Sequence, residues 1–261
     1  MIGCELHGRL GNHLFQIATA LSLAKKLNTN VIVEPFAEAG HRGIIPTDLS
    51  GFSYSFDYGK TSFEGVGELS FEYSPLPIKD NIKLAGFFQS HKYFDDIKEE
   101  LIIKYFSPSV WVKEISKKYN PSENSLGICV RRDDYLMLQQ NHCVLNEDYY
   151  QEIFYDIFHQ VNIKDIFVFS DDMVWCRDVF SDINARFVEE DKFVQLYLMT
   201  QIKHLILANS TFSWWGAYLN ENKGKIYVPN PWFGPNKSNI NTKDLFHTDW
   251  IVRNHQPSFQ Q

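Results

Sequence analysis

The order in which strand and helix signals alternate constrains this chain more than any other feature. MIGCEL reads as a short strand. A glycine-bracketed turn then opens a long amphipathic helix, GRLGNHLFQIATALSLAKK, Gly8 to Lys26. Leu14, Ile17, Ala18, Leu21, Ala24 and Leu27 keep a helical period. Asn12 stands where it can cap that helix, and Lys25 and Lys26 suit its negative end. NVIVEPF reads as a second buried strand. Residues 36–80 are rich in Gly, Ser, Pro and aromatics with weak periodicity, which suggests loops, short elements and a substrate-facing insertion. NIKLAGFFQS is a strand running into YFDDIKEELIIKYF, which reads as a helix with acidic residues in its first turn. Ser107-Pro108-Ser109 breaks it, and a short helix and the turn NPSENS follow.

The pattern then starts again. SLGICV is a buried strand, and EDYYQEIFYDIFHQV is a helix with apolar Tyr150, Ile153, Phe154, Ile157 and Val161 on one side. DIFVFS is the next strand, with a helix expected around Trp175 to Phe180. LILANS is strand-like, TFSWWGAYLN is a helix and KIYVPNPWF a last strand. Such alternation favours the α/β class. It divides the chain into two α/β halves, 1–108 and 109–261, and such halves bind ligands in a cleft at strand carboxyl ends.

Composition narrows the function classes. The chain has 261 residues, 44% of them hydrophobic and 15% aromatic, enough to bury a core. A formal charge of −7 argues against a nucleic-acid binder, which needs a basic surface. It leaves room for a local basic pocket. Cys4, Cys129, Cys143 and Cys176 show no C-x-x-C spacing and read as free thiols of a reducing compartment. No signal peptide is legible ahead of MIGCEL, and no apolar run approaches the ~18 residues of a membrane span. A cytoplasmic protein without an integral membrane segment is expected.

Three turns suit an anionic ligand, each at a strand end. The opening turn, with Gly11 and Asn12, presents backbone amides at a helix N-terminus. It is neither a P-loop, since no Lys-Ser/Thr follows the glycines, nor G-x-G-x-x-G, so a nicotinamide-dependent oxidoreductase is disfavoured. SLGICV delivers VRRDDY. Adjacent arginines are costly to bury without anions, and a guanidinium matches two oxygens of a phosphate at once. Strand geometry sends Arg131 and Arg132 to opposite sides, so one can face a ligand while the other holds the loop. An internal ion pair, such as Arg132 with Asp134, is the competing reading. LILANSTFSWWGAYL turns from strand to helix at Asn209-Ser210-Thr211, where hydroxyls and amides meet the positive helix end. Plain capping by Ser210 or Thr211 explains the same residues. Gly216 and Ala217 would let that helix approach the sheet. In FVFSDDMVWC, Asp171 and Asp172 could accept from guanine N–H groups, bind a metal or cap the next helix; no further carboxylates stand close enough to suggest a metal site. The pair Asp95-Asp96 is explained by a helix start. Phe52, Tyr54, Phe56, Tyr58, Phe71 and Tyr73 fit core packing or stacking on sugar faces.

Four stretches, GRLGNHLFQIATALSLA, LAGFFQSHKYF, VRRDDY and ILANSTFSWWGAYL, with FSDD between the last two, make the chain resemble the bacterial α-1,2-fucosyltransferases that use GDP-fucose. The match runs from residue 8 to about 219. The resemblance implies a GT-B-like fold of two Rossmann-type halves facing across a cleft, with the acceptor on the 1–108 side and GDP-fucose on the 109–261 side. It implies transfer of L-fucose from GDP-β-L-fucose to the 2-hydroxyl of a terminal galactose, with inversion and without a metal or other cofactor. A galactose-terminated oligosaccharide is the implied partner, and a lipid-linked acceptor would bring the protein to a membrane surface peripherally. By this resemblance Arg131 grips the β-phosphate, helped by Asn209, Ser210, Thr211 and Ser213. Asp171 or Asp172 reads guanine, and Gly11 and Asn12 face the pyrophosphate or fucose. Asp134 is a candidate general base, a donor phosphate oxygen another, and His142 and Glu147 lie near the same loop. The family's arginine motif usually begins His-x-Arg-Arg; here Cys129 stands at the His position and Asp133 replaces a common Gly. A non-catalytic nucleotide- or glycan-binding protein on the same scaffold is the rival reading.

Overall fold

The computed structural model describes residues 1–35 and 48–256. Part of the expected 36–80 insertion, residues 36–47, thus lies outside the described residues, as does Phe36 of the second strand. The chain forms two compact units. Unit 1 comprises Met1–Trp111 and Asn241–His247, and unit 2 comprises Val112–Ile240 and Thr248–Gln261.

Unit 1 is built on a parallel sheet of four strands in the order β2-β1-β4-β3: β1 (Ile2–Leu6), β2 (Val31–Pro35), β3 (Glu64–Gly67) and β4 (Ile82–Ala85). Helix α1 (Leu10–Leu27) connects β1 to β2. It begins two residues before Asn12, with Arg9 at the N-cap position and no side-chain cap, so Asn12 is a first-turn residue and not the cap. Nor is α1 amphipathic in its surroundings. His13, Gln16, Thr19 and Ser22, which the periodicity assigns to an outer face, are buried as well. Each polar group that is buried must find a partner. Thr19 donates to the Phe15 carbonyl (2.8 Å) and Ser22 to Asp96 (2.7 Å), while Gln16 bonds the backbone of His7 and Gly86.

The helix expected over YFDDIKEELIIKYF is instead a series of turns. Two 3₁₀ turns (His91–Tyr93, Asp95–Ile97), a single α turn α2 (Lys98–Glu100) and a π turn (Leu101–Tyr105) follow one another. Phe94 interrupts the run with φ −145 and sends its ring into the core against Phe15, at 5.8 Å. Tertiary burial of that ring outweighs the local helical pattern. The segment 241–247 returns to unit 1 through Asp244, which accepts from the Tyr73 N–H (3.1 Å) and pairs with Lys92 (2.5 Å).

The link into unit 2 passes through α3 (Val110–Ser116). Unit 2 holds a parallel sheet of six strands: β5 (Ser125–Val130), β6 (Asp165–Ser170), β7 (Ala185–Phe187), β8 (His204–Ile206), β9 (Ile226–Asn230) and β10 (Ile251–Asn254). KIYVPNPWF is therefore not the last strand, because β10 pairs beyond it. The helices are α4 (Glu147–Gln160), α5 (Met173–Val179), α6 (Lys192–Gln201) and α7 (Thr211–Tyr218). Strand β7 and helix α6 carried no clear sequence signal. The strand order is β10-β9-β8-β5-β6-β7. The chain thus builds outward from β5 to β7 on one side, then returns to build β8 to β10 on the other. This is the doubly wound order whose reversal point, here between β5 and β8, opens a crevice at the strand carboxyl ends. All six residues of β5 are buried, as a central parallel strand requires. Gly216 serves a contact other than the expected one: an added Cβ would lie 2.6 Å from Met199, so it brings α7 against α6 rather than onto the sheet.

Candidate functional site

The reversal point of unit 2 collects the sequence-predicted residues. β5 ends in Arg131 and Arg132, β6 in Asp171 and Asp172, and β8 runs into Asn209-Ser210-Thr211 at the start of α7. The two arginines part company as strand alternation requires. Arg132 is 6% exposed, with its guanidinium 4.2 Å above the Trp175 ring and its Nε donating to Asp172 (3.2 Å). It is the residue that holds the loop. Arg131 is half-buried; its guanidinium pairs with Asp134 and with Asp171, the latter at 2.5 Å, and lies 5.0 Å from the Tyr135 ring. The internal pair anticipated for Asp134 thus forms with Arg131 and not with Arg132. Both oxygens of Asp171 are engaged, one by the Arg132 backbone N–H (2.9 Å) and the other by Arg131. Asp172 is shared in the same way: it caps α5 through the Trp175 N–H (3.1 Å) and takes the Arg132 side chain. Two guanidinium charges therefore meet three carboxylates. A phosphate reaching Arg131 must compete with Asp134 and Asp171, of which Asp134 has the more exposed side chain.

Tyr135 joins two of the loops. Its hydroxyl donates to the Asn209 carbonyl (3.1 Å), and its ring stacks on His142 at 4.3 Å with 12° between planes. Burial pushes the Tyr135 phenol up to about 12, so it donates as a neutral hydroxyl at neutral pH. Burial, reinforced by the charges of Lys237 and Arg131, lowers His142, which favours the neutral imidazole. Neither Tyr135 nor Trp175 was singled out from the sequence, although both adjoin residues that were; an aromatic next to an arginine is a usable signal for a guarded guanidinium. Glu147 is exposed in the first turn of α4, behind the Asn146 cap.

Asn209 is 2% exposed and acts as a tie: its Nδ2 donates to the carbonyls of Cys143 and Trp232, each at 2.8 Å. Ser210 caps α7 by accepting from the Phe212 N–H (3.3 Å). Ser213 is buried, and its hydroxyl turns inward to the carbonyls of Ala208 and Ser210. Thr211, the first residue of α7, is half-buried and its hydroxyl has no hydrogen-bond partner among the described residues. Trp214 and Trp215 anchor α7 from behind; Trp214 stacks on Tyr218 at 4.8 Å and meets Trp250 at 5.4 Å. Cys129 lies in the interior, its thiol 3.9 Å from the Met199 sulfur and raised by burial. Its side chain is part of the core.

Gly11 and Asn12 belong to unit 1. Gly11 is buried, and Asn12 is half-buried with its Oδ1 accepting from Gln89 (3.1 Å). Of the aromatics in 52–73, Phe52 and Phe56 are core, Tyr54, Phe71 and Tyr73 are half-buried, and Tyr58 is half exposed. Among the described residues no group of three His, Cys, Asp or Glu side chains is placed to hold a metal ion, and no helix is long and apolar enough to cross a membrane.

This is an α/β, GT-B-like protein with parallel sheets, and its fold is that of solved fucosyltransferases. The crystal structure of NodZ α-1,6-fucosyltransferase soaked with GDP-fucose superposes with a TM-score of 0.51 at 12% identity, over 84% of this chain and 91% of that one. That likeness establishes the fold. Residues 53–254 match the model of glycosyl transferase family 11, and the chain belongs to that family. Among its relatives, an α-1,2-colitosyltransferase of Escherichia coli is 33% identical over 187 residues, spanning 67% of this chain and 63% of that protein. The O-antigen biosynthesis glycosyltransferase WbnK of Escherichia coli is 29% identical across 92% of this chain and 97% of its own length. Human galactoside α-(1,2)-fucosyltransferase 1 is 27% identical across 82% of this chain and 64% of that protein.

Proposed function

We propose that the protein transfers L-fucose from GDP-β-L-fucose to the 2-hydroxyl of a terminal galactose, with inversion and without a metal. The observation that carries this reading is a half-buried guanidinium, Arg131, at the reversal point of a doubly wound sheet, following a strand that pairs with the one leading into α7. The family, and relatives named for α-1,2 transfer, support the reaction class.

The step is a single displacement. The acceptor oxygen bonds to the fucose anomeric carbon as the bond from that carbon to the β-phosphate oxygen breaks. GDP leaves with its charge growing on that oxygen. Arg131 and the first amides of α7 stabilise that charge, which is where preorganised donors contribute most. Asp171 holds Arg131 in place by clamping the loop that carries it. When a phosphate takes the guanidinium, the Asp134 carboxylate beside it is placed to accept the acceptor's proton. A donor phosphate oxygen is the competing acceptor. Asp171 and Asp172 retain lone pairs beyond those used by the arginine loop, so guanine recognition by either is compatible with their structural bonds. Asn209 and Ser213 act by shaping the turn, and Ser210 and Thr211 by contact. In this reading the 109–261 half binds the donor and the 1–108 half serves the acceptor, with Gly11 and Asn12 contributing to donor contact. Four buried free thiols fit a reducing cytoplasm, and a lipid-linked acceptor would account for work at a membrane surface.

Incubation with GDP-fucose and lactose in the presence of EDTA tests this. GDP release coupled to fucosyl-lactose is expected, with an α-1,2 linkage by NMR. Tight GDP binding with no product would instead establish a non-catalytic binding protein. The colitosyl-transferring relative favours one second reading, in which the donor sugar is colitose; competition between the two nucleotide sugars decides it.

A further inference from the structure

Asn12 is a polar side chain of the first turn of α1, and two neighbours in unit 1 determine how its amide points. Gln89, itself 8% exposed, donates its Nε2 to Asn12 Oδ1 (3.1 Å). That leaves Asn12 Nδ2 without a partner among the described residues. On its other side Asn12 rests on Gly8, which has φ +79; a Cβ there would stand 2.3 Å from Asn12 Nδ2. Gly8 is thus required twice, for its conformation and for the space the amide occupies.

Gln89 is in turn held by an unusual loop. Phe88, fully buried, has φ +52, a region that bulky residues adopt only when the surroundings enforce it. The enforcing group is Glu68, just beyond the end of β3. One carboxylate oxygen accepts the N–H of Phe88 (2.9 Å) and the other that of Phe87 (3.0 Å). Gly86 permits the approach, since a Cβ on it would lie 2.8 Å from the Cβ of Glu68. Gln16 grips the other end of the same loop through the Gly86 carbonyl (3.0 Å), and Tyr93 braces the Phe88 ring edge-on at 5.5 Å. A carboxylate suits this place because it only accepts; a glutamine would turn an NH₂ toward one of two N–H donors.

We propose that Glu68, through the strained Gly86–Gln89 loop, is a positioning residue that fixes the Asn12 amide with Nδ2 as a ready donor to an oxygen of the nucleotide sugar. This rests on the reading above, in which Asn12 contacts the donor. The chain of contact runs Glu68 carboxylate, Phe87 and Phe88 amides, Gln89 side chain, Asn12 amide. It spends backbone strain at Phe88 to hold one side-chain orientation, as pre-organised sites do.

The test uses Glu68→Ala, Glu68→Gln, Gln89→Ala, Asn12→Ala and the Gln89→Ala/Asn12→Ala double variant of the full chain. Misplacing one contact group costs roughly ten- to a hundredfold in turnover, so Gln89→Ala and Glu68→Ala should lower kcat by about tenfold or more. KM for GDP-fucose should move by less than about threefold. Glu68→Gln should recover part of the loss. The double variant should be no slower than Asn12→Ala alone, because removing Gln89 matters only through Asn12. Multiplying losses in the double variant would overturn the proposal, as would unchanged kcat in Glu68→Ala. Amide hydrogen exchange across residues 86–89 gives a readout that needs no activity: it should speed up in Glu68→Ala, and unchanged protection there would also overturn the clamp. If the wild-type protein transfers no fucose while exchange responds as expected, the donor reading fails and the loop device stands.

Discussion

Arg131 and Arg132 are adjacent in sequence and differ in what surrounds them. Arg132 is interior, sandwiched between Trp175 and Asp172. Breaking a buried pair by removing one partner costs about 3–5 kcal/mol, so Asp172→Ala should lower the melting temperature sharply. Part of the loss should return in the Arg132→Met/Asp172→Ala pair, where no buried charge is stranded. Arg131 is half-buried, and its guanidinium is shared between Asp134 and Asp171. Its charge-assisted bonds to phosphate contribute roughly 1.5–3 kcal/mol each. Arg131→Ala should therefore leave the fold intact by circular dichroism and reduce transfer by about a hundredfold or more. Near wild-type turnover would refute the phosphate role. The alternation that separates these two side chains follows from strand geometry and was legible in VRRDDY. Their carboxylate partners were not: pairing Arg131 with Asp171 joins residues forty positions apart, a distance set by the parallel pairing of β5 and β6.

Among the elements, those with strong local periodicity matched the sequence reading: β1, α1, β5, α4, β6 and α7 all form where the pattern puts them. The departures share a cause. The 91–105 segment has a helical pattern yet winds through 3₁₀ and π turns, because Phe94 must reach the core next to Phe15. Asn12 has a capping side chain but is bonded by Gln89 instead. Short elements such as β7 carry too few residues for a period to show. Packing between elements also has a specific prediction. Gly216→Ala places a methyl 2.6 Å from Met199, and overpacking of this kind costs about 1–3 kcal/mol. Adding Met199→Ala should restore part of the stability in denaturant titrations; additive losses would show that the α6–α7 contact is not the reason for the glycine.

Across the whole molecule, pH acts through buried imidazoles of unit 2. Burial lowers His142, His204 and His255 from their ordinary values. His204 is 6% exposed and its Nδ1 accepts the N–H of Lys225 (3.0 Å), a bond lost on protonation at that atom. A histidine lowered in the folded state binds fewer protons there than in the unfolded chain. Its contribution is therefore complete above the unfolded value of about 6.5 and is lost as pH falls below it. Each such group can steepen the fall by at most about 1.4 kcal/mol per pH unit. Melting temperatures should drop as pH falls from about 6.5 to about 5.5, and His204→Gln should flatten that slope. A slope unchanged by this substitution would remove His204 from the account.

The sequence by itself determined the α/β class, the places where strands hand over to loops, and the residue types that stand at those handovers. These are local properties, set by periods of two and 3.6 and by turn chemistry, and they are written within windows of a dozen residues. Only the tertiary structure decided that β8 lies beside β5, so that VRRDDY and NSTFSWW share one edge of a sheet. It alone decided which aspartate holds which arginine, and that a glutamate after β3 governs an amide in α1. Those outcomes depend on pairings between strands far apart in the chain, and the free energy that selects them comes from burying whole faces together, which no short stretch encodes.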